Sequence, residues 1–323
     1  KSYQLLLTKC FEILSVFFIL LITSGISRSA DDTCKVGIYF NSLTDFNISD
    51  QSFSADFWMW FNYKNDSLQF NDAIEVTNSK SSSFSNYAKT KKDSVNWDMM
   101  KFNAVVFKEW DVSAFPFDKQ KLTLHIDHTI YDTKKLEFFA DEGNSAIDSN
   151  LVLSNWKIDS LAFYVNNQTY NTTFGDPVIK GSSTYPSVTA DIYLTRENSW
   201  NTLFKMLTGV YVAFSIVLLA FFVKPSDRLG LCVGGLFAAV GNKYIIESAV
   251  PSTVSNTLFD NIHNITFIAI FVILVVAVIS FKWNETEKPE YITRAKKLDR
   301  ISFYSVVAAY VLLNTFLIMR AAS

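Results

Sequence analysis

The chain has 323 residues, 49% of them hydrophobic and only 19% charged, and its mean hydropathy is +0.16. That is too apolar for an ordinary water-soluble globule, and a net charge of −2 argues against a nucleic-acid partner. Three cysteines, Cys10, Cys34 and Cys232, are too few and too scattered for a disulfide framework.

Residues 1–29 carry Lys1 and Lys9, then an apolar run over 13–23, then Ser27 and Ser29 spaced for signal peptidase. This order predicts a secretory signal peptide and a mature chain starting near Ala30; the alternative is a retained first membrane helix.

From 30 to 199 short alternating aromatic and polar runs are broken by Asn, Asp, Ser and Gly clusters, which predicts an all-β domain of about ten strands, an immunoglobulin-like sandwich. Residues 53–63 alternate so that Phe57, Met59 and Phe61 share one face and Trp58 and Trp60 the other. Further strands are predicted over 101–110, 121–127, 135–140, 156–166 and 187–195, with loops over 79–93 and 166–186. His125 and His128, three apart on a strand, point to opposite faces and do not form a metal pair.

The composition then changes abruptly. Residues 200–323 hold four long apolar segments, about 201–223, 226–248, 264–282 and 300–319, each of a length to cross a bilayer. Lys224, Arg228, Lys282, Lys288, Arg294, Lys296, Lys297 and Arg300 flank the first and third connections, whereas 249–267 has neither Lys nor Arg. By the positive-inside rule the sandwich and the C-terminus lie outside.

The second segment differs from the rest because it carries Asp227, Arg228, Asn242, Lys243 and Glu247, and ionisable groups in a membrane persist mainly against protein or water. Pro225 and Ser226 supply a helix start, and Pro251 a stop. At helical spacing Ser226, Gly230, Gly234, Phe237, Gly241, Tyr244 and Ser248 form one stripe, small at most levels. Two readings stay open: a pore lining with an aromatic constriction, or glycines that let helices approach closely.

The segment 110–126, WDVSAFPFDKQKLTLHI, resembles the signature of the pentameric ligand-gated ion channel (Cys-loop receptor) family, whose core is the aromatic-Pro-X-Asp run Phe115-Pro116-Phe117-Asp118. Lys108 and Leu122 stand where animal members carry the paired cysteines, so the likeness is to prokaryotic members, which lack the bridge. Asn155-Trp156-Lys157-Ile158, Arg196 before the first span, four spans and Pro251 follow in family order. Two departures are plain: the first span has no proline, and NDAIEVTNSKSSSFSN over 71–86 replaces the usual tryptophan-proline motif.

The resemblance implies a homopentamer with a periplasmic or extracellular ligand-binding sandwich, and the short link over 282–300 with the missing bridge suggests a prokaryotic inner membrane. The sequence has no Gly-X-Ser-X-Gly elbow, no His-Glu-X-X-His helix, no phosphate-binding glycine loop and no Cys/His metal spacing, so no enzymatic activity, cofactor or metal is expected. The second helices of the pentamer would line a central pore for monovalent cations, opened by an unknown small molecule or by protons. Asp118 and Arg196 would belong to a charged cluster at the junction of sandwich and membrane, with Asp45 as a third member, and Phe115, Pro116 and Phe117 would press on the Pro251 loop. Aligning Pro251 with the family's proline puts Phe237 at the mid-pore gate, Asp227 at the cytoplasmic mouth with Arg228 rotated away from it, and Glu247 at the outer mouth. Trp58 and Trp60 on one side of a subunit boundary, and Tyr131, Tyr170, Phe174 and Tyr185 on the other, are ligand-binding candidates whose faces suit an amine. The competing function is a receptor-like membrane sensor of the same architecture that does not conduct.

Overall fold

The structure, a computed structural model, describes residues 30–177, 180–249 and 256–322. The proposed signal peptide and Pro251 lie outside the described residues.

The strands are β1 Asp32–Asn47, β2 Ser52–Tyr63, β3 Ile74–Val76, β4 Ser79–Lys92, β5 Val95–Phe107, β6 Lys119–His128, β7 Leu136–Ala140, β8 Ala146–Ile147, β9 Trp156–Val165, β10 Gln168–Tyr170, β11 Ser183–Tyr185 and β12 Ser187–Arg196. One sheet runs β4-β5-β2-β1-β7, with β8 also on β1, and the facing sheet runs β3-β6-β12-β9. Strict alternation in β2 drives the packing: Phe57, Met59 and Phe61 are fully buried while Trp58 and Trp60 stay half-exposed on the other face. Leu122, Leu124 and Ile126 of β6 and Val188, Ala190 and Ile192 of β12 close the core from the second sheet. Trp60 lies flat across its cross-strand partner Gly37, and a Cβ there would overlap the indole, so this pair requires glycine.

Two expected loops are corrected. Residues 79–93 hold the long strand β4, paired with β5 from Ser79 opposite Val106 to Lys92 opposite Val95. Almost every β4 side chain is exposed, so backbone pairing does most to hold the strand, helped by Tyr87 donating to Asp98 at 2.7 Å and Phe84 lying 6.1 Å from Phe102, and no apolar alternation marks it. Residues 166–186 contain the small β10–β11 ladder, in which Gln168, Thr169 and Tyr170 face Tyr185, Thr184 and Ser183.

Four helices follow: α1 Ser199–Leu218, extended by a 3-10 turn Leu219–Phe221, then α2 Arg228–Ala249, α3 Leu258–Glu285 and α4 Pro289–Ala322. All four are long and apolar enough to cross a membrane. Helix α3 begins with a capping box in which the Thr257 hydroxyl accepts from the Asp260 amide and the Asp260 carboxylate accepts from the Thr257 amide. Helix α2 starts at Arg228, two residues later than the sequence suggests, because 225–227 form a turn. The observed order is a β-sandwich followed by a four-helix membrane bundle.

Candidate functional site

Three places bear on function: the seam between sandwich and helices, the outward face of α2, and a pocket behind the β10–β11 ladder.

At the seam, Arg196 ends β12 and Asp118 stands just before β6, so the strand pairing of Thr195 with Lys119 brings the two side chains together. The contact is two-pronged: Arg196 Nε donates to Asp118 Oδ1 at 2.6 Å and Nη2 to Oδ2 at 3.1 Å. Gln120 adds a bond from its amide to Asp118 Oδ2 at 2.9 Å, and the carboxylate is only 3% exposed. The guanidinium is sandwiched between rings, 4.7 Å from the Phe115 centroid and 4.1 Å from that of Trp156. Asp45 is not brought to this pair: its backbone is left-handed (φ 52°), its side chain is exposed, and its carboxylate accepts from Thr44. Trp156 takes the place beside the guanidinium instead. Its motif was visible in the sequence, but nothing in the spacing of residues 155–158 aims the indole at Arg196.

The Phe115-Pro116-Phe117 run reaches the membrane helices. Phe117 meets Trp200 of α1 edge-on at 4.9 Å, and Phe115 packs on Phe259 of α3 at 5.7 Å. Both described contacts fall on helix ends: Trp200 is the second residue of α1 and Phe259 the second of α3.

On α2 the predicted stripe is exposed throughout: Ser226, Gly230, Gly234, Phe237, Gly241, Tyr244 and Ser248, together with Asp227 and Glu247. Phe237 is 71% and Tyr244 68% exposed. A Cβ added at Gly230, Gly234 or Gly241 would meet nothing within 4 Å, so these glycines do not serve packing within the subunit. Gly235 does, since a Cβ there would collide with Val217 of α1 and lie 3.1 Å from the Ala213 carbonyl. The opposite face of α2 is buried through Arg228, Cys232, Gly235, Ala239 and Ile246.

Arg228 turns inward. Its Nη1 donates to Asp299 Oδ2 of α4 at 2.8 Å and to Ser280 Oγ of α3 at 3.1 Å, and its Nε to the Val223 carbonyl at 3.3 Å. The neighbouring Asp227 stays exposed, its carboxylate accepting from Ser226. At the other end Lys243 lies between Glu247 at 3.5 Å and Asp260 at 3.7 Å.

Behind the β10–β11 ladder a cavity of about 250 Å³ is lined by Tyr170, Phe174 and Tyr185 and by the carboxylates of Glu75 and Asp127. The three rings cluster, Tyr170 lying 5.3 Å from Phe174 and 6.1 Å from Tyr185, with Phe174 6.2 Å from Tyr185. Tyr170 donates to Asp127 at 2.6 Å, and burial together with that carboxylate pushes its phenol up. His128 forms one wall and is fully buried. Its Nδ1 accepts from the amides of Ile130 at 3.2 Å and Tyr131 at 3.1 Å, which assigns the proton to Nε2, 3.0 Å from the Gln69 carbonyl. Burial lowers this imidazole to about 4, so it is neutral at neutral pH and works as an anchor for the following turn. Tyr131 stacks on His128 at 4.8 Å and lies beside the cavity rather than in its lining. Trp58 and Trp60 are on the outer face of β2 in the other sheet, where Trp60 donates to Asp141 at 3.1 Å. Among the described residues no group of three or more His, Cys, Asp or Glu is placed to hold a metal.

No family model matches the chain. Among curated proteins it is similar to neuronal acetylcholine receptor subunit alpha-6 of Gallus gallus, 26% identical over 148 residues that cover 44% of this chain and 28% of the relative. It is also similar to subunit alpha-3 of Homo sapiens and of Bos taurus, 25% identical over 146 residues in each case. The match spans little more than a quarter of each relative's length, 27% and 28% respectively. This is a multi-pass membrane protein with an extracellular domain, a β-sandwich followed by four apolar helices, similar at a distance and over 44% of its length to neuronal acetylcholine receptor subunits.

Proposed function

We propose that the protein is a ligand-gated ion channel in which five copies surround a water-filled axis lined by the exposed face of α2. The observation that carries this reading is the contrast between helix faces. The exposed faces of the other helices are dominated by bulky apolar side chains, among them Phe204, Val212 and Ile216 on α1, Ile268, Phe271 and Val272 on α3, and Leu312 and Phe316 on α4, with smaller residues such as Ser215 and Ala308 between them. Such faces suit lipid. The α2 stripe instead presents three glycines, two serines and carboxylates near its ends, interrupted by the rings of Phe237 and Tyr244, with Leu229, Val233 and Ile245 beside it. Glycines with open space above them and carboxylates left unburied suit water.

In this arrangement a ring of Phe237 closes the pore by dewetting, which blocks ions without a plug. Asp227 rings the cytoplasmic mouth. Because Arg228 is paired with Asp299 and hydrogen-bonded to Ser280, Asp227 is the charge that the α2 face itself presents at that mouth, and a ring of it favours cations. The ligand seat is the aromatic and acidic cavity at Tyr170, Phe174 and Tyr185, completed across the subunit boundary by Trp58 and Trp60 of a neighbouring copy. Three rings beside two carboxylates fit an organic cation, the class to which the acetylcholine in the relatives' names belongs. Binding there moves β12, and the Arg196–Asp118 pair hands the movement to α1 and α3 through Phe117 and Phe115.

Purified protein in planar bilayers, screened with organic amines and across pH, tests the reading. Ligand-evoked current is expected, with Phe237→Ala raising the resting leak and Asp227→Lys moving the reversal potential towards anions. Pentamers that stay silent throughout the screen would favour the non-conducting sensor. An unchanged reversal potential would remove Asp227 from the selectivity filter.

A further inference from the structure

Helix α2 is pinned to its neighbours on either side of Phe237, and the two pins differ in kind. At the basic end Arg228 makes three bonds, one of them an ion pair with Asp299. Towards the other end, five residues past Phe237 and about 140° around the helix from it, Asn242 reaches both α1 and α3. Gly209 of α1 gives it a seat: a Cβ there would overlap the end of the Asn242 amide and lie 2.9 Å from its Cγ, so only glycine leaves the space. On α3, Nε2 of His263 is 3.1 Å from Asn242 Oδ1, and the ring is only 1% exposed. The ring is fixed from behind, its Nδ1–H donating to the Phe259 carbonyl at 2.8 Å. With that proton on Nδ1, Nε2 of the neutral ring accepts, and a half-turn of the amide that exchanges Oδ1 and Nδ2 supplies the donor. Phe259 is also the residue on which Phe115 of the sandwich packs, at 5.7 Å. Phe115, Phe259, His263 and Asn242 therefore form a continuous line from the seam to α2.

We infer that Asn242 is the positioning residue of the gate: it fixes the rotation of the outer half of α2, and through His263 it is the point at which movement of α3 enters the pore helix. A single neutral hydrogen bond gives way before an ion pair with two further bonds does, so the outer half of α2 moves while its base at Arg228 holds. Phe237 lies between the two pins, and a turn about the base carries its ring away from the axis. The neighbouring contact of α2 with α3, Lys243 with Asp260 at 3.7 Å, is partly exposed and too long for a firm hydrogen bond, so it does not set the rotation. This role rests on the reading of α2 as the pore lining and is independent of which ligand starts the movement.

The test is the rate at which a charged methanethiosulfonate reagent modifies single cysteines on α2 of the full protein in phosphatidylcholine vesicles. The background is Cys10→Ser, whose remaining cysteines, Cys34 and Cys232, are buried. Gly241→Cys lies on the open stripe and Ile246→Cys on the covered face, so the first is expected to react at least about tenfold faster. Asn242→Leu, of similar volume but without the amide, is expected to bring the two rates within about twofold, and His263→Leu to do the same with no further change in the double variant. His263→Gln keeps a group able to bond Asn242 and is expected to hold the original ratio within about twofold, as is Lys243→Gln. Phe115→Ala should lower the ratio about threefold with Asn242 in place and add nothing in Asn242→Leu. An unchanged ratio in Asn242→Leu, or equal loss in His263→Gln and His263→Leu, would reduce the contact to packing and overturn the role of Asn242 while leaving the pore intact. An additive effect of Phe115→Ala would overturn the link through α3. A Gly241→Cys that never reacts, even with Asn242 intact, would take water off the stripe and overturn the pore reading together with the role built on it.

Discussion

The two faces of α2 are built from similar residues and do opposite things. Gly234 and Gly235 are adjacent, about 100° apart around the helix, yet one looks into open space and the other lies against Val217 of α1. Asp227 and Arg228 repeat the contrast with charge: the acid is exposed, and the base is 6% exposed and tied to α3 and α4. Residue type along this helix therefore says little about duty, whereas rotation about the helix axis says nearly everything. The sandwich shows the same division more regularly, with Phe57, Met59 and Phe61 inside β2 and Trp58 and Trp60 outside.

The contrast can be broken most sharply at Arg228. Arg228→Ala leaves Asp299 without its cation and should cost about 3–5 kcal/mol, the usual result of halving a buried pair. Thermal unfolding of the detergent-solubilised protein should fall steeply, whereas Asp227→Ala on the exposed face should stay within about 0.5 kcal/mol.

A second effect belongs to the sandwich alone. His128 titrates at about 4 in the fold against 6.5 ordinarily, so the unfolded chain binds its proton first as pH falls. Its stabilising contribution is complete above pH 6.5 and is lost progressively down to about 4, a loss of roughly 3 kcal/mol at 1.36 kcal/mol per pH unit. Unfolding followed by near-ultraviolet dichroism should show this slope, and His128→Phe should flatten it.

A smaller effect separates the two glycines. Gly235→Val forces Val217 aside and should destabilise by about 1–3 kcal/mol. Gly234→Ala meets no neighbour and should be neutral or stabilising by up to about 1 kcal/mol, through helix propensity alone. Equal melting shifts for the two would mean that the α1–α2 contact is not as tight as described.

Much of this was readable in advance. The alternation of β2 and the four apolar stretches came directly from period and length, because burying one side of a strand or crossing a bilayer imposes those patterns on any chain. The stripe on α2 was readable for the same reason, and so was the rotation of Arg228 away from Asp227. Strand β4 was not readable, since an edge strand held by backbone bonds leaves no periodic mark in Ser79–Lys92. Nor was the histidine anchor in the wall of the cavity, whose two acceptor bonds to Ile130 and Tyr131 depend on how the chain turns after β6.

By itself, then, the sequence determined the layers, the number of spans and which residues share a helical stripe, all consequences of local periodicity. Only the tertiary structure decided which side of α2 the neighbouring helices cover, that Trp156 rather than Asp45 stands beside Arg196, and that Asn242 meets Gly209 and His263. Those outcomes depend on contacts between residues far apart in the chain, where approach distance and shape choose among partners of equal chemical merit.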